Sequence, residues 1–116
     1  MITVYQYSKC STCRKALNFL IERAVEYTAI DIVEKPPTQK ELTQMLKFQN
    51  DSIRALFNTS GQVYREMGLK DKISNMKKTD AIRLLSKNGK LIKRPFLLTK
   101  KNGFVGFKQE EWKILS

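Results

Sequence analysis

The chain has 116 residues, which fits one domain with a core of its own, and 41% of them are hydrophobic, which excludes a disordered chain. No apolar run approaches the ~20 residues that a membrane-spanning helix needs, and the N-terminus lacks the features of a signal peptide, so we expect a cytoplasmic protein. The net charge of +11, spread along the chain, is compatible with an anionic partner or with a lysine-rich solvated surface.

The first predicted elements are a strand over residues 1–7 and a helix over residues 14–23. Between them lies Cys10-Ser11-Thr12-Cys13, which contains the only two cysteines of the chain. The first sulfur is therefore predicted at the helix entrance, where free amide N–H groups and the helix dipole favour an anion such as a thiolate. In a reducing compartment, such a pair is typical of catalysis, redox sensing or metal binding. A zinc site is disfavoured, because the chain has no second C-x-x-C and no histidine.

The strand, the helix and a second strand over residues 26–33 form a βαβ pattern, which predicts a parallel strand pair. The first helix carries an apolar stripe that consists of Ala16, Leu17, Leu20, Ile21 and Ala24. Thr38 and Glu41 have the spacing of a capping box, which predicts the start of the next helix.

Three helices, a two-stranded hairpin and a closing helix are predicted next, over residues 51–57, 62–67, 79–86, 96–99, 104–107 and 108–115. Trp112 is the predicted anchor of the closing helix, which begins at Lys108. The order βαβ, helices, ββα, with a C-x-x-C at the first turn and Pro95 before the third strand, predicts an α/β thioredoxin-like fold. We expect one domain over residues 1–116, with a helical insertion at about 38–88 between the two halves.

Seven short stretches carry a family resemblance over nearly the whole length of the chain. They are residues 7–16, 35–38, 56–61, 64–69, 91–95, 105–108 and 110–112. In this ordered set the chain resembles the arsenate reductase-like family, a glutaredoxin-related group that includes the ArsC enzymes and the Spx regulators. It is most similar to an uncharacterised C-x-x-C branch of that family. The resemblance implies the thioredoxin-like fold and suggests a cis peptide bond before Pro95.

The resemblance also implies roles for single residues. Arsenate reductases of this class use a thiolate at the position of Cys10 and three arginines that bind the oxyanion. Arg94 matches one of these, and Arg14 matches a family arginine at the helix start. Asn58 and Phe107 stand where the enzyme has its other two oxyanion-binding arginines, and neither side chain replaces the bidentate guanidinium contact.

We therefore predict Cys10 as the nucleophile and Cys13 as the cysteine that resolves its adduct by closing a disulfide. The alternative is that both are small buried hydrophobic residues, which suits Cys13 better than Cys10. The predicted anion-binding residues are Arg94, Arg14, Ser11 and Thr12, the last two through a nest of amide N–H groups. For both arginines the alternative is a solvated position, and for Asn58 a turn or capping role is favoured. Pro95 is predicted to be structural at the site, and no metal ligand is predicted.

Two functions remain open on this basis. The first is a thiol-dependent reductase without a cofactor that acts on a small oxyanion or disulfide and draws electrons from glutathione, glutaredoxin or thioredoxin. The second is an Spx-like redox-switched regulator that binds the C-terminal domain of the RNA polymerase α-subunit. It is favoured by the presence of Cys13 and the replaced arginines. Membrane association and direct nucleic-acid binding are not indicated, since no recognition helix or fingerprint is present.

Overall fold

The computed structural model describes residues 2–115, in which four strands form one sheet and six α-helices pack around it. The strands are β1 (Thr3–Gln6), β2 (Thr28–Asp31), β3 (Phe96–Leu98) and β4 (Gly103–Val105). The helices are α1 (Ser11–Glu22), α2 (Gln39–Phe48), α3 (Ile53–Leu56), α4 (Gln62–Glu66), α5 (Lys78–Lys87) and α6 (Gln109–Trp112). Short 3₁₀ turns cover Leu69–Asp71, Ile73–Asn75 and Gly89–Leu91.

The sheet has the strand order β2-β1-β3-β4. β1 pairs in parallel with β2 and antiparallel with β3, and β3 pairs antiparallel with β4. The helices α2 to α5 lie in the chain between the βαβ half and the ββα half. This arrangement confirms the predicted thioredoxin-like α/β fold.

Alternation along the strands divides the core between the two faces of the sheet, because successive side chains of a strand point to opposite sides. In β1, Val4 packs with Leu20 of α1 and Trp112 of α6. The next residue, Tyr5, packs on the other face, with Phe96 of β3 and residues of α2 to α5. The sheet therefore separates the α1–α6 layer from the layer of inserted helices.

The predicted capping box is present at the start of α2. Thr38 Oγ1 accepts the Glu41 N–H at 3.1 Å, and Glu41 Oε1 accepts the Thr38 N–H at 3.0 Å. The same carboxylate oxygen accepts the Tyr5 hydroxyl at 2.7 Å. Burial and this carboxylate raise the pKa of Tyr5 above its ordinary value. Glu41 of the capping box thus also links α2 to the central strand β1 through its hydrogen bond with Tyr5.

The first helix differs from its prediction at both ends. It begins at Ser11, three residues earlier than predicted, because Cys10 caps it. It ends at Glu22 in a Schellman motif, in which the Val25 N–H binds the Leu20 carbonyl at 2.9 Å and Ala24 has a φ of +55°. The predicted stripe is therefore wrong for Ala24, which lies beyond the helix, and for Ile21, whose side chain is 60% exposed.

Most of the other predicted elements are longer than the observed ones, whereas α5 extends one residue beyond its prediction at each end. β4 ends at Val105 because Gly106 takes a φ of +76°. The prediction that Phe107 belongs to this strand is therefore wrong. α6 closes at Trp112, three residues before its predicted end. Met1, the first residue of the predicted β1, lies outside the described residues. Within residues 2–115, no helix is both long and apolar enough to cross a membrane.

Candidate functional site

Cys10 lies at the end of the loop that joins β1 to α1. Its N–H donates to the Tyr7 carbonyl at 3.1 Å, and its backbone is extended, as is usual for the residue that caps a helix. Its Sγ accepts the Cys13 N–H at 3.2 Å. The first turn of α1 contains no acidic residue, so the positive end of the helix dipole faces the sulfur without compensation. The half-buried sulfur of Cys10 thus lies at the positive end of α1.

Cys13 lies one helical turn further on, and its side chain is 0% exposed. Burial raises the pKa of Cys13 to about 12, with smaller contributions from the hydrogen bond to Cys10 and from the charge of Cys10. A hydrogen bond from the Tyr7 main chain and the charge of Arg94 act in the opposite direction. The two sulfurs are neighbours, and the buried one is held as a neutral thiol.

Cys10 opens onto a cavity of about 570 Å³. Three cationic side chains line it, those of Lys93, Arg94 and Lys108, together with one carboxylate, that of Glu111. Predicted site residues Thr12 and Arg94 therefore do share a cavity with the thiol. The cavity is polar and positively charged close to a nucleophilic sulfur.

The Arg94 side chain packs against the ring of Tyr7. The Arg94–Pro95 peptide bond is cis, as the resemblance suggested. The guanidinium carbon lies 5.2 Å from the centroid of the Tyr7 ring, which is within range of a cation–π contact. The Tyr7 main chain is also hydrogen-bonded to both cysteines. The same residue therefore contacts the arginine through its ring and the two cysteines through its backbone.

Asn58 and Phe107, which stand where the resemblance implies arginines, both line the cavity. Asn58 holds a turn: its N–H donates to the Leu91 carbonyl at 2.7 Å and its carbonyl accepts the Gly61 N–H at 3.0 Å. The Phe107 ring packs edge-on against Trp112, with ring centroids 4.9 Å apart. Neither residue brings charge to the cavity.

Two predicted anion-binding residues, Ser11 and Arg14, are not among the residues that line the cavity. The Arg14 guanidinium turns back along the chain, where Nη1 donates to the Ser8 carbonyl at 3.0 Å. The structure therefore brings Arg94 and Thr12 to Cys10 and leaves Arg14 to hold the loop before the helix.

Sequence reasoning missed Lys93 and Glu111 as site residues, and it assigned Lys108 only to the start of the last helix. One signal lies in Gly106. A Cβ on this residue would stand 2.9 Å from Lys93 Cε, so the glycine leaves space for the lysine stem at the end of β4. The glycine is visible in the sequence, but its contact with Lys93 is a property of the fold, so the sequence does not show that Lys93 lies at the site.

Comparison with known proteins places this geometry in a family. The sequence profile of the ArsC family matches residues 5–115. The uncharacterized protein YusI of Bacillus subtilis is 40% identical over 111 residues, which cover 96% of this chain and 94% of that protein. The global transcriptional regulator Spx of Streptococcus pyogenes is 26% identical over 111 residues, which cover 96% of this chain and 81% of that protein.

Solved structures agree with the sequence comparison. An ArsC family related protein from Bacteroides fragilis superposes with a TM-score of 0.94 at 43% identity, covering 99% of this chain and 97% of the other. A possible arsenate reductase from Streptococcus mutans superposes with a TM-score of 0.90 at 39% identity, covering 98% of each chain.

Proposed function

The chain belongs to the ArsC family, and within that family we propose that it is a dithiol oxidoreductase in which Cys10 is the nucleophile and Cys13 the resolving cysteine. The observation that carries this proposal is the pairing of the sulfurs. The half-buried Cys10 caps α1 and opens onto the cavity, while the buried Cys13 lies directly behind it. One sulfur is accessible to a substrate, and the other is accessible only to the first sulfur.

The proposed reaction transfers two electrons from the protein to a disulfide. The Cys10 thiolate attacks one sulfur of the substrate, a protein–substrate disulfide forms, and the first substrate thiol leaves with a proton. The Cys13 thiol then loses its proton and attacks Cys10 Sγ, which releases the second substrate thiol. The protein is left with a Cys10–Cys13 disulfide, which a thiol reductant such as thioredoxin, glutaredoxin or glutathione returns to the dithiol.

The environment of Cys13 suits this order of events. Two of the causes that raise the pKa of Cys13 come from Cys10, namely its charge and its hydrogen bond. Both weaken once Cys10 is bound in a neutral disulfide, whereas the Tyr7 main chain and Arg94 continue to lower the pKa. We therefore expect Cys13 to ionise more readily in the adduct than in the free dithiol, which delays its attack until Cys10 has reacted.

The cavity supports a disulfide substrate over arsenate. With Asn58 and Phe107 on the cavity wall, two of the three guanidinium contacts of the arsenate-reducing relatives are replaced by neutral side chains. A charge-assisted bidentate contact contributes more than a neutral hydrogen bond. Arsenate is therefore expected to bind weakly, while the thiol chemistry is unaffected by this replacement.

The test is turnover of hydroxyethyl disulfide and of arsenate by the purified, reduced protein with a dithiol reductant. Cys10→Ser is expected to abolish disulfide reduction. Cys13→Ser, treated with hydroxyethyl disulfide after the reductant has been removed, is expected to accumulate the protein–substrate disulfide, visible as the added mass of one half of the substrate. Undiminished turnover by Cys10→Ser would contradict the proposal.

A second candidate is a redox-switched regulator, favoured by the likeness to Spx regulators over 96% of the chain and by the presence of Cys13 beside Cys10. In this case the Cys10–Cys13 pair is a switch and the partner is the C-terminal domain of the RNA polymerase α-subunit. A pull-down with that domain, with the protein reduced and oxidised, tests it. Binding in one redox state without disulfide turnover would favour the regulator, and the absence of binding in both states removes it.

A further inference from the structure

On the basis of the proposed function, we infer that the cavity beside Cys10 selects small organic disulfides that carry carboxylates, and that Lys93 and Lys108 determine this specificity. The inference starts from the size of the cavity. At about 570 Å³, it lies in the range of ~300–1,000 Å³ that is usual for small-molecule sites. A tetrahedral oxyanion has the volume of a few water molecules, each ~30 Å³, and would fill a minor part of it.

The charge of the cavity is the second step. Lys93, Arg94 and Lys108 face a single carboxylate, that of Glu111, so the lining has an excess of two positive charges. In the described part of the chain, the ion pairs join other residues: Lys78 with Asp51, Arg83 with Asp80 and Lys113 with Glu110. The three cations of the cavity are therefore available to an anionic ligand.

The apolar part of the lining defines the rest of the ligand. Val105 and Phe107, which are both partly exposed, line the same cavity. They suit a short methylene arm between the reacting sulfur and a carboxylate. An inorganic oxyanion has no such arm, and a neutral disulfide makes no use of the cations.

The two lysines occupy related positions around Gly106. The Lys93 stem lies over Gly106, and Lys108 follows two residues later at the start of α6. Arg94, in contrast, is held over the Tyr7 ring near the thiols. This division assigns Arg94 to the reacting end of a substrate and the lysines to its carboxylates.

The reaction is the transfer of two electrons from the Cys10–Cys13 dithiol to a disulfide that carries two carboxylates. Dithiodipropionate accepts two electrons from the Cys10–Cys13 dithiol and leaves as two molecules of mercaptopropionate, each of which takes one proton. The protein disulfide is then returned to the dithiol by a dithiol reductant, which supplies the two electrons.

Three disulfides with two-carbon arms test the inference: dithiodipropionate is anionic, hydroxyethyl disulfide is neutral and cystamine is cationic. The rate at which the reduced protein loses thiols is measured with each, and is divided by the rate of dithiothreitol with the same disulfide. We expect the corrected rates to follow the order anionic, neutral, cationic. The spread should shrink as salt is added, because exposed charges are screened.

Charge variants locate the preference. Lys93→Gln and Lys108→Gln are each expected to lower the ratio of the anionic to the neutral rate about two- to fivefold, and together about tenfold, as for solvent-exposed ion pairs. Glu111→Gln should raise the same ratio. The matched control is Lys40→Gln with Lys70→Gln, which removes two exposed lysines outside the cavity and should leave the ratio unchanged.

The outcomes separate the inference from the function on which it rests. Failure of the protein to react with all three disulfides contradicts the proposed function. Equal corrected rates for the three, or a preference that survives in the Lys93→Gln, Lys108→Gln double variant, overturns the inference and leaves the dithiol chemistry intact.

Discussion

Two regions meet at the site and are built in different ways. The thiol turn, residues 7–13, is one continuous segment fixed by bonds between near neighbours, such as the Tyr7 carbonyl with the Cys10 N–H. The cavity wall consists of residues 57–60, 93–94 and 105–108, which come from three separated parts of the chain. In the thiol turn Cys10 matches the thiolate position that the resemblance implies, whereas in the wall Asn58 and Phe107 stand where it implies arginines. Under the proposed function, the thiol turn carries the chemistry and the wall the choice of substrate.

The largest expected effect concerns the thiol turn alone. In Cys10→Ser, burial still raises the pKa of Cys13 above its ordinary value of 9. The ultraviolet thiolate absorption of the folded variant should therefore rise only well above pH 9, and that of the unfolded variant near pH 9. Because the neutral thiol is favoured in the folded state, stability should be level below pH 9 and fall as the pH rises towards 12.

The double variant Cys10→Ser, Cys13→Ala is the control for that titration. It keeps the lysines and tyrosines that also ionise in alkali but lacks the buried thiol. The difference between the two stability profiles isolates Cys13. If the profiles coincide, Cys13 is not held as a neutral thiol by the fold.

The next effect concerns the wall. Asn58→Arg introduces, at a residue that lines the cavity, one of the guanidinium groups that the family resemblance implies for arsenate reduction. We expect arsenate reduction to increase about tenfold or more, because a hydrogen bond to a charged group contributes ~1.5–3 kcal/mol. Asn58→Gln is the neutral control. Equal arsenate rates in the two variants would show that the wall does not set the substrate.

The fold could be predicted from sequence further than the site could. The βαβ pattern and the capping box of Thr38 and Glu41 are local, so their residues predict them directly. The end of α1 was missed because Ala24 takes a positive φ, for which alanine gives no signal. Cys10 was found from the C-x-x-C at the first turn, and Arg94 through the family resemblance. Lys93 was missed because its place in the cavity depends on contact with the chain at Gly106, which only the folded backbone supplies.

A smaller effect is expected at Gly106 itself. Gly106→Ala introduces a left-handed alanine, which costs ~1–2 kcal/mol, and a Cβ that meets Lys93 Cε at 2.9 Å. We expect lower thermal stability and a weaker preference for the anionic disulfide, while the amide protons of α1 keep their exchange protection.

Gly68→Ala is the matched control for this substitution. Gly68 has a φ of +62°, close to that of Gly106, but a Cβ there meets no atom within 4 Å. Gly68→Ala should therefore lose stability without a change in substrate preference. A preference that changes equally in both variants would assign the effect to general destabilisation rather than to the wall.

The smallest effect concerns Tyr7, which belongs to the thiol turn yet holds Arg94 of the wall. Tyr7→Leu removes the ring but keeps the main-chain hydrogen bonds to the cysteines. It therefore removes the contact between the thiol turn and Arg94 and leaves the other contacts of both regions in place. The loss of a cation–π contact at a partly exposed site is ~0.5–1 kcal/mol, or about two- to fivefold in the rate with dithiodipropionate.

Tyr7→Phe keeps the aromatic face and should behave as the native protein in the same assay. A loss shared by Tyr7→Phe and Tyr7→Leu would assign the role to the hydroxyl group, and the ring would not be what joins the thiol turn to the wall. A loss confined to Tyr7→Leu, and similar for the anionic and the neutral disulfide, is the result expected if Tyr7 positions Arg94 at the reacting end of the substrate. In that case the thiol turn and the wall are coupled through a single aromatic side chain, which holds the arginine of the wall beside the sulfur that reacts.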